Sequence, residues 1–182
     1  RILKADCIIK SPGIPDKAEL VQKARELNIP VISEIEWAGY FTDAICIGIT
    51  GTNGKTTTTT LIYQILKNGG LNVGLGGNIG KSFARSVAED HFDYYVLELS
   101  SFQLDGLVHF KNHISVLLNI TPDHLDRYQY KYENYINSKF RVTLNQDEGD
   151  YFIYNADDPV VMDYISSHTI KPKLLGISQQ AE

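Results

Sequence analysis

The chain has 182 residues, enough for one well-formed core or for one domain with part of another. Its composition, 43% hydrophobic and 21% charged, is ordinary for a globular protein, and a net charge of −5 argues against a nucleic-acid binder, which is usually basic. No run reaches the ~18 apolar residues of a membrane span and no signal peptide is expected, so neither a nucleic-acid nor a membrane partner is expected.

The first residues, RILKADCIIKSPG, lack a methionine and lie close to a strand, which reads as a cut inside a longer protein. DCIIKSPGIP is a short strand followed by a Pro/Gly turn. DKAELVQKARELN puts Leu20, Val21, Ala24 and Leu27 on one helical face, with Asp16 and Glu19 spaced like a capping box. IPVIS is a second strand and EIEWAGYF a short helix. A domain boundary is expected near Thr42–Asp43. Beyond it, AICIGIT, DYYVLELS and HISVLLNI read as buried strands. KYENYINSKFRVTLNQ reads as a helix, DYFIYNA as a strand, DPVVMDYISS as a helix and KLLGIS as the last strand. Continuous apolar strands alternating with helices predict an α/β fold, a largely parallel sheet covered on both faces. Cys7 and Cys46 form no C-x-x-C pair, which predicts reduced thiols and a cytoplasmic protein.

Four marks carry chemistry. The first is Gly51-Thr52-Asn53-Gly54-Lys55-Thr56, at the junction of a strand and a helix. Ile49 stands where the usual phosphate-binding loop has its first glycine, so this is a shorter variant. Its glycines can turn backbone N–H groups inward as an anion nest, and the helix N-terminus adds positive charge. Lys55 is a mobile charge for outer phosphates, and the Thr56 hydroxyl can hold Mg²⁺. Five consecutive threonines, 56–60, open the helix, and Leu61, Ile62, Ile65 and Leu66 are expected to pack it. The next segment, GLGGNIG, fails the dinucleotide fingerprint on spacing, since Ile79 stands where a glycine is needed. It reads as a glycine-rich loop with Asn78 at its tip.

The second mark is Glu98, sharing a strand face with Tyr94, Val96 and Ser100. At the end of a parallel strand it is either a Mg²⁺ ligand or a buried acid satisfied by hydrogen bonds. Ser100, Ser101 and Gln103 lie at the same sheet edge. The third is TPDHLDRY, with Asp123, His124, Asp126 and Arg127 at the end of another strand: metal and phosphate contacts, or a solvated charged turn. The fourth is Lys139, on the apolar face of its helix with Tyr132, Tyr135, Ile136, Phe140 and Thr143. It is either a snorkelling lysine or an amine whose pKa falls with burial, able to act as a nucleophile or to take up CO₂.

TGTNGKTT, the strand-end glutamate, TPDH and a lysine fifteen residues after the histidine together resemble the Mur ligases, which build the peptide of peptidoglycan. SPGIP, GGNIG, LELSSFQL and DHLDRY extend that resemblance over essentially the whole chain, LELSSFQL being the most specific. The resemblance implies a P-loop NTPase-like fold for residues 44–182, truncated at its end. It implies the tail of a Rossmann-like UDP-binding domain for residues 1–43. It also implies an ATP-dependent ligase, in which ATP phosphorylates the carboxylate of UDP-N-acetylmuramoyl-L-alanine and the amine of D-glutamate attacks the acyl phosphate.

On that resemblance, Gly51, Thr52, Asn53, Gly54, Lys55, Thr56 and Thr57 contact ATP. Thr56 and Glu98 hold one Mg²⁺, and His124 and a carbamylated Lys139 surround a second metal. Lys55, His124 and Lys139 serve catalysis. Ser11, Gly13, Asn78, Ser100 and Gln103 face the muramoyl substrate. The D-glutamate domain of such ligases has no counterpart in this sequence, so the chain alone is expected to be inactive. The alternatives are another Mur ligase, a folylpolyglutamate synthase-like ligase, a phosphotransferase with the same loop, and a non-catalytic nucleotide-binding module.

Overall fold

The computed structural model describes residues 1–180. Near the start, β1 (Ile8–Lys10) and β2 (Val31–Ser33) pair in parallel as a two-stranded sheet, with α1 (Glu19–Glu26) between them. α2 (Glu34–Gly39) follows β2 at once, and Ser33 caps it by accepting from the Glu36 amide.

Six strands make the main sheet: β3 (Ile45–Thr50), β4 (Val73–Gly77), β5 (Tyr94–Glu98), β6 (Ile114–Leu117), β7 (Tyr151–Asn155) and β8 (Lys173–Ile177). All pairings are parallel, in the order β4-β5-β3-β6-β7-β8. The connections carry α3 (Lys55–Asn68), α4 (Phe83–Glu89), α5 (Ser101–Leu104), α6 (Tyr132–Phe140) and α7 (Pro159–Ser167). Alternation along the strands splits the core in two. Cys46, Tyr95, Leu97, Leu117 and Phe152 pack with α2, α4, α6 and α7 on one face. Ile47, Ile49, Val96 and Val116 pack with Ile62, Tyr63 and Leu66 of α3 on the other. The expected α/β sheet covered on both faces is therefore present.

Several local expectations are corrected. The capping box at α1 does not form: Ala18 is the N-cap, without a side-chain bond, because the Asp16 carboxylate accepts from Lys10 at 3.0 Å and Arg25 at 2.8 Å instead. Leu20 and Leu27 are exposed, and only Val21 and Ala24 are buried. α3 is rotated so that Thr59, Ile62 and Leu66 face inward, leaving Leu61 and Ile65 in solvent. Gly74, Gly76 and Gly77 are strand, not loop. A Cβ on Gly74 would lie 2.5 Å from the Phe92 ring and 2.7 Å from the Tyr95 ring, so the glycine admits two aromatics against the strand. β5 ends at Glu98, so Ser100 is the N-cap of α5 rather than a strand residue. α6 stops at Phe140 and passes through a 3-10 turn, Arg141–Thr143, to Asn145 at φ 65°, where the helix cannot continue. Among the described residues, both cysteines are free, and no helix is long and apolar enough to cross a membrane.

One buried carboxylate fastens α2 to the main sheet. Glu36 is fully buried; it accepts from the amides of Val108, His109 and Phe110 at 2.8–2.9 Å and from the Tyr40 hydroxyl at 2.6 Å. Burial pushes its pKa up, but the Tyr40 and backbone hydrogen bonds together outweigh that and hold it below the usual carboxylate value. A depressed folded-state pKa stabilises the fold above the unfolded value and loses that contribution as pH falls through the folded one. Glu36→Ala leaves three buried amides without an acceptor and is expected to cost on the order of 3 kcal/mol. Glu36→Gln is expected to cost less, and to flatten the loss of stability below about pH 4.5. Urea unfolding of each variant between pH 3 and 7 checks both outcomes, and an unchanged acid limb in Glu36→Gln contradicts them.

Candidate active site

β3 lies between β5 and β6, all parallel, so the loops after their C-terminal ends meet at one edge of the sheet, where ligands bind in open α/β folds. Gly54, at φ 84°, is the N-cap of α3. Lys55 opens the helix and folds back: its Nζ donates to the Gly51 carbonyl at 3.0 Å and the Thr52 carbonyl at 2.8 Å.

The expected nest of inward amides is only partly present. The Thr52 amide donates to the Asn119 backbone carbonyl and the Asn53 amide to Asn119 Oδ1. The amides free for an anion are those at the start of α3, where the helix dipole adds to them.

Glu98 ends β5 opposite Ile49 of β3 and Gly77 of β4, and is 2% exposed. Its Oε2 accepts from the Thr56 hydroxyl at 2.7 Å and its Oε1 from Asn78 Nδ2 at 2.9 Å. Residues 42 and 20 positions before Glu98 in sequence are thus gathered on its carboxylate. Ser100 and Gln103 form a reciprocal capping box at α5: Ser100 Oγ accepts from the Gln103 amide, and Gln103 Oε1 from the Ser100 amide at 3.0 Å. Gln103 is therefore buried in a structural bond, while Ser100 still reaches the cleft.

Lys139 is 2% exposed, not snorkelling. Its Nζ donates to the Gly51 carbonyl at 2.8 Å, reaches Thr50 Oγ1 at 3.4 Å, and lies 5.2 Å from the Tyr135 ring centroid. Burial first, and then the charge of Lys55, bring its pKa down to about 7, against the opposing pull of Asp123, Asp105 and Glu98.

His124 sits at φ 49° and is 54% exposed, its Nε2 3.5 Å from Asp123 Oδ2. Its ring centroid is 5.3 Å from that of Phe102, and the Arg127 guanidinium is 4.3 Å from the same Phe102 ring. Arg127 also donates to the Pro12 carbonyl at 3.3 Å, bringing the SPGIP turn to the site. A cleft of about 300 Å³ joins these groups. Of the candidate residues it is lined by Gly13, Lys55, Asn78, Ser100, His124 and Lys139. Thr56 and Glu98 lie at the adjoining loop; Ser11 is exposed and outside the cleft. Asn119 and Phe102 are site residues that the sequence reading did not single out, whereas Pro12 belongs to the SPGIP turn it did. The signal for Asn119 was available, a polar side chain between the end of an apolar strand and TPDH.

The donors fit a hard cation. Thr56 Oγ1 and the Glu98 carboxylate are oxygens already 2.7 Å apart beside a phosphate-type loop, and Mg²⁺ completes its shell with phosphate and water. Among the described residues there is no cluster of three or more His, Cys, Asp or Glu arranged around a metal. Around Lys139 an ammonium cannot ligate a cation, whereas its carbamate could.

Residues 49–182 match the Mur ligase middle domain. The UDP-N-acetylmuramoylalanine–D-glutamate ligases of Christiangramia forsetii and Bacteroides fragilis are 57% and 58% identical over 178 residues, covering 98% of this chain and 40% of each relative. The chain thus spans about two fifths of the length of the curated relatives it matches. In fold it is similar to the UDP-N-acetylmuramate:L-alanyl-γ-D-glutamyl-meso-diaminopimelate ligase from Neisseria meningitides. That similarity has a TM-score of 0.66 at 19% identity, over 95% of this chain and 58% of the other.

The Lys139 shift has a signed consequence. Below pH 7 folded and unfolded chains both carry its proton. Between about 7 and the ordinary lysine value of 10.5 the folded chain has released it and the unfolded chain has not, so stability rises with pH across that window. Cys46, whose thiol burial pushes up to about 12, acts with the opposite sign at the alkaline end. It is present in both proteins and cancels on comparison. Lys139→Met is expected to have the shallower rise in unfolding free energy between pH 7 and 10.5, measured by urea titration. Parallel slopes in the two proteins contradict the burial of an amine titrating near neutrality.

Proposed function

Since this chain belongs to the Mur ligase family, we propose that the protein carrying it joins D-glutamate to UDP-N-acetylmuramoyl-L-alanine with ATP, in peptidoglycan synthesis. The observation that carries the reading is the single cleft in which Lys55, Asn78, Ser100, His124 and Lys139 converge beside the Thr56–Glu98 pair. The substrates are those in the names of the two D-glutamate ligases. We assign residues 1–43 to the tail of a UDP-binding unit and 44–182 to the ATP-binding unit, the two packed together through α2.

The chemistry is two displacements. A carboxylate oxygen of the muramoyl substrate bonds to the γ-phosphorus as the bond to ADP breaks. The amine nitrogen then bonds to the acyl carbon as phosphate leaves, and the amine loses a proton. Both steps press anions together, so the protein's task is to neutralise and align them. Lys55 swings from the Gly51 and Thr52 carbonyls to the γ-phosphate, while the first amides of α3 hold the inner phosphates. Gly51 to Thr57 line the nucleotide, and Gly13, Asn78 and Ser100 the muramoyl side, with Gln103 holding Ser100 in place through its cap.

Thr56 and Glu98 would hold Mg²⁺, and His124 with Lys139 the surroundings of a second cation. When bound, the cations supply charge neutralisation between carboxylate and phosphate. An amine whose pKa lies at about 7 is substantially uncharged at neutral pH and in that form can add CO₂, with release of one proton, to give a carbamate anion. That replaces an awkward buried cation with an oxygen donor.

Lys55→Ala in the full-length protein is expected to abolish D-glutamate-dependent phosphate release, a loss on the order of 3 kcal/mol or more in the transition state. Near-normal turnover would mean the loop is only structural. Lys139→Ala is expected to be inactive and partly restored by a small carboxylate such as acetate, and the wild type to slow when bicarbonate is removed. If neither treatment changes the rate, the carbamate is wrong. Phosphate release that ignores D-glutamate, assayed beside other amino acids, would remove the ligase reading itself.

A further inference from the structure

The phosphate loop and the loop carrying Asp123 and His124 are laced together through Asn119 and Thr52. Asn119 lies just beyond β6. Its backbone carbonyl accepts from the Thr52 amide at 3.0 Å, its Oδ1 from the Asn53 amide at 2.9 Å, and its Nδ2 donates to the Asn53 carbonyl at 3.0 Å. Two residues on, the Thr121 amide donates to Thr52 Oγ1 at 3.0 Å. A Cβ on Gly51 would lie 3.0 Å from Leu118 Cβ and 3.3 Å from the Asn119 backbone, so glycine admits the close approach.

We propose that Asn119 is a positioning residue, whose carboxamide holds the phosphate loop in register with the loop bearing Asp123 and His124. Its one-donor, one-acceptor edge matches both halves of the Asn53 residue's backbone. An aspartate would lack the donor, and an aliphatic side chain would lack both. The loop from 51 to 54 has little apolar packing of its own, and its glycines make it permissive. With the Thr52 and Asn53 amides committed to Asn119, an anion meets only the start of α3 and Lys55. That leaves one register for the phosphates, and it sets the offset between a terminal phosphate and the His124–Lys139 side of the cleft. The proposal rests on the ligase reading only where turnover is concerned.

The first test needs no variant. In the wild type without nucleotide, the amides of Thr52 and Asn53 should exchange with solvent deuterium ~100-fold or more slowly than those of Gly54 and Lys55. The latter should gain protection only on adding ADP. In the full-length protein, Asn119→Ala should keep a wild-type melting profile within a few degrees. It should bind ADP ~10-fold more weakly and lose ~100-fold in kcat, as misplacement by about an ångström does, with KM for D-glutamate unchanged. The near-isosteric Asn119→Asp should weaken ADP further, since its second oxygen meets the Asn53 carbonyl that Nδ2 now bonds and it adds negative charge beside the loop. Exchange at Asn53, the amide that the carboxamide holds, as fast as at Gly54 overturns the proposal without recourse to any variant. So does a folded Asn119→Ala with unchanged ADP affinity and kcat. If the wild type shows no D-glutamate-dependent phosphate release, the ligase reading falls alone, and the exchange and ADP arms still decide the role of Asn119.

Discussion

Two ammonium groups, those of Lys55 and Lys139, donate to the same carbonyl oxygen, that of Gly51. Like charges on one acceptor repel, and Lys139 is too deeply buried for water to screen it. The lowered pKa of Lys139 is the outcome, with burial ahead of the Lys55 charge, and the acids around it do not reverse it. The same oxygen sits beside the open N-terminus of α3, another source of positive potential. A polyphosphate is the complement of such a place. It would draw Lys55 away from Gly51 and relieve the repulsion in the same movement.

That arrangement depends on the strand order. Lys55 comes from the helix after β3, Glu98 from the end of β5, and His124 and Lys139 from the segment after β6, and β3 lies between the other two. The segment after β6 is then fixed on several sides. Asp158, the N-cap of α7, accepts from the Ile120 amide with one oxygen and from Val160 and Val161 with the other. The Tyr132 hydroxyl donates to the Ile120 carbonyl at 2.8 Å. α6 is held in turn where Ser138 donates to the Ser101 carbonyl and its Oγ lies 3.1 Å from the Tyr128 hydroxyl. With both its peptide groups bonded, Ile120 gives the TPDH turn a fixed origin, and His124 can take up its left-handed backbone.

Legibility in the sequence followed whether a residue's role is local. The Gly-Lys-Thr junction, the glutamate at a strand end and the lysine on an apolar helix face declare themselves by spacing along one element, and the structure gathers them at one sheet edge. Asp16 was misread because its spacing to Glu19 is local while its partners, Lys10 and Arg25, are tertiary. Leu61 and Ile65 were misread for a related reason. Periodicity gives a face of α3, but its rotation is set where Gly54, Lys55 and Thr56 must meet the loop, and this turns Ile62 and Leu66 to the sheet instead. The glycines of β4 read as loop because nothing local reveals the Phe92 and Tyr95 rings that need their space. Asn119 escaped notice since its meaning lies in a peptide 66 residues away.

Each charged group at the site has a partner within the chain that a ligand could replace. Lys55 rests on two loop carbonyls, Lys139 on Gly51, and Glu98 on Thr56 and Asn78. None of these buried or half-buried charges is left bare, which would be costly. Exchanging such a bond for one to a phosphate or a cation is nearly balanced in hydrogen bonds alone. The discrimination must then come from charge: the partners given up by Lys55 are neutral carbonyls, and those given up by Glu98 are a hydroxyl and an amide. A phosphate for Lys55 and a divalent cation for the carboxylate each convert a charge–dipole contact into a charge–charge one, which is stronger in a partly buried site. The Asn119 bonds are of the other kind, neutral on both sides and between parts of the chain. They gain nothing from a ligand's charge, which suits them to remain in place while Lys55 and Glu98 change partners.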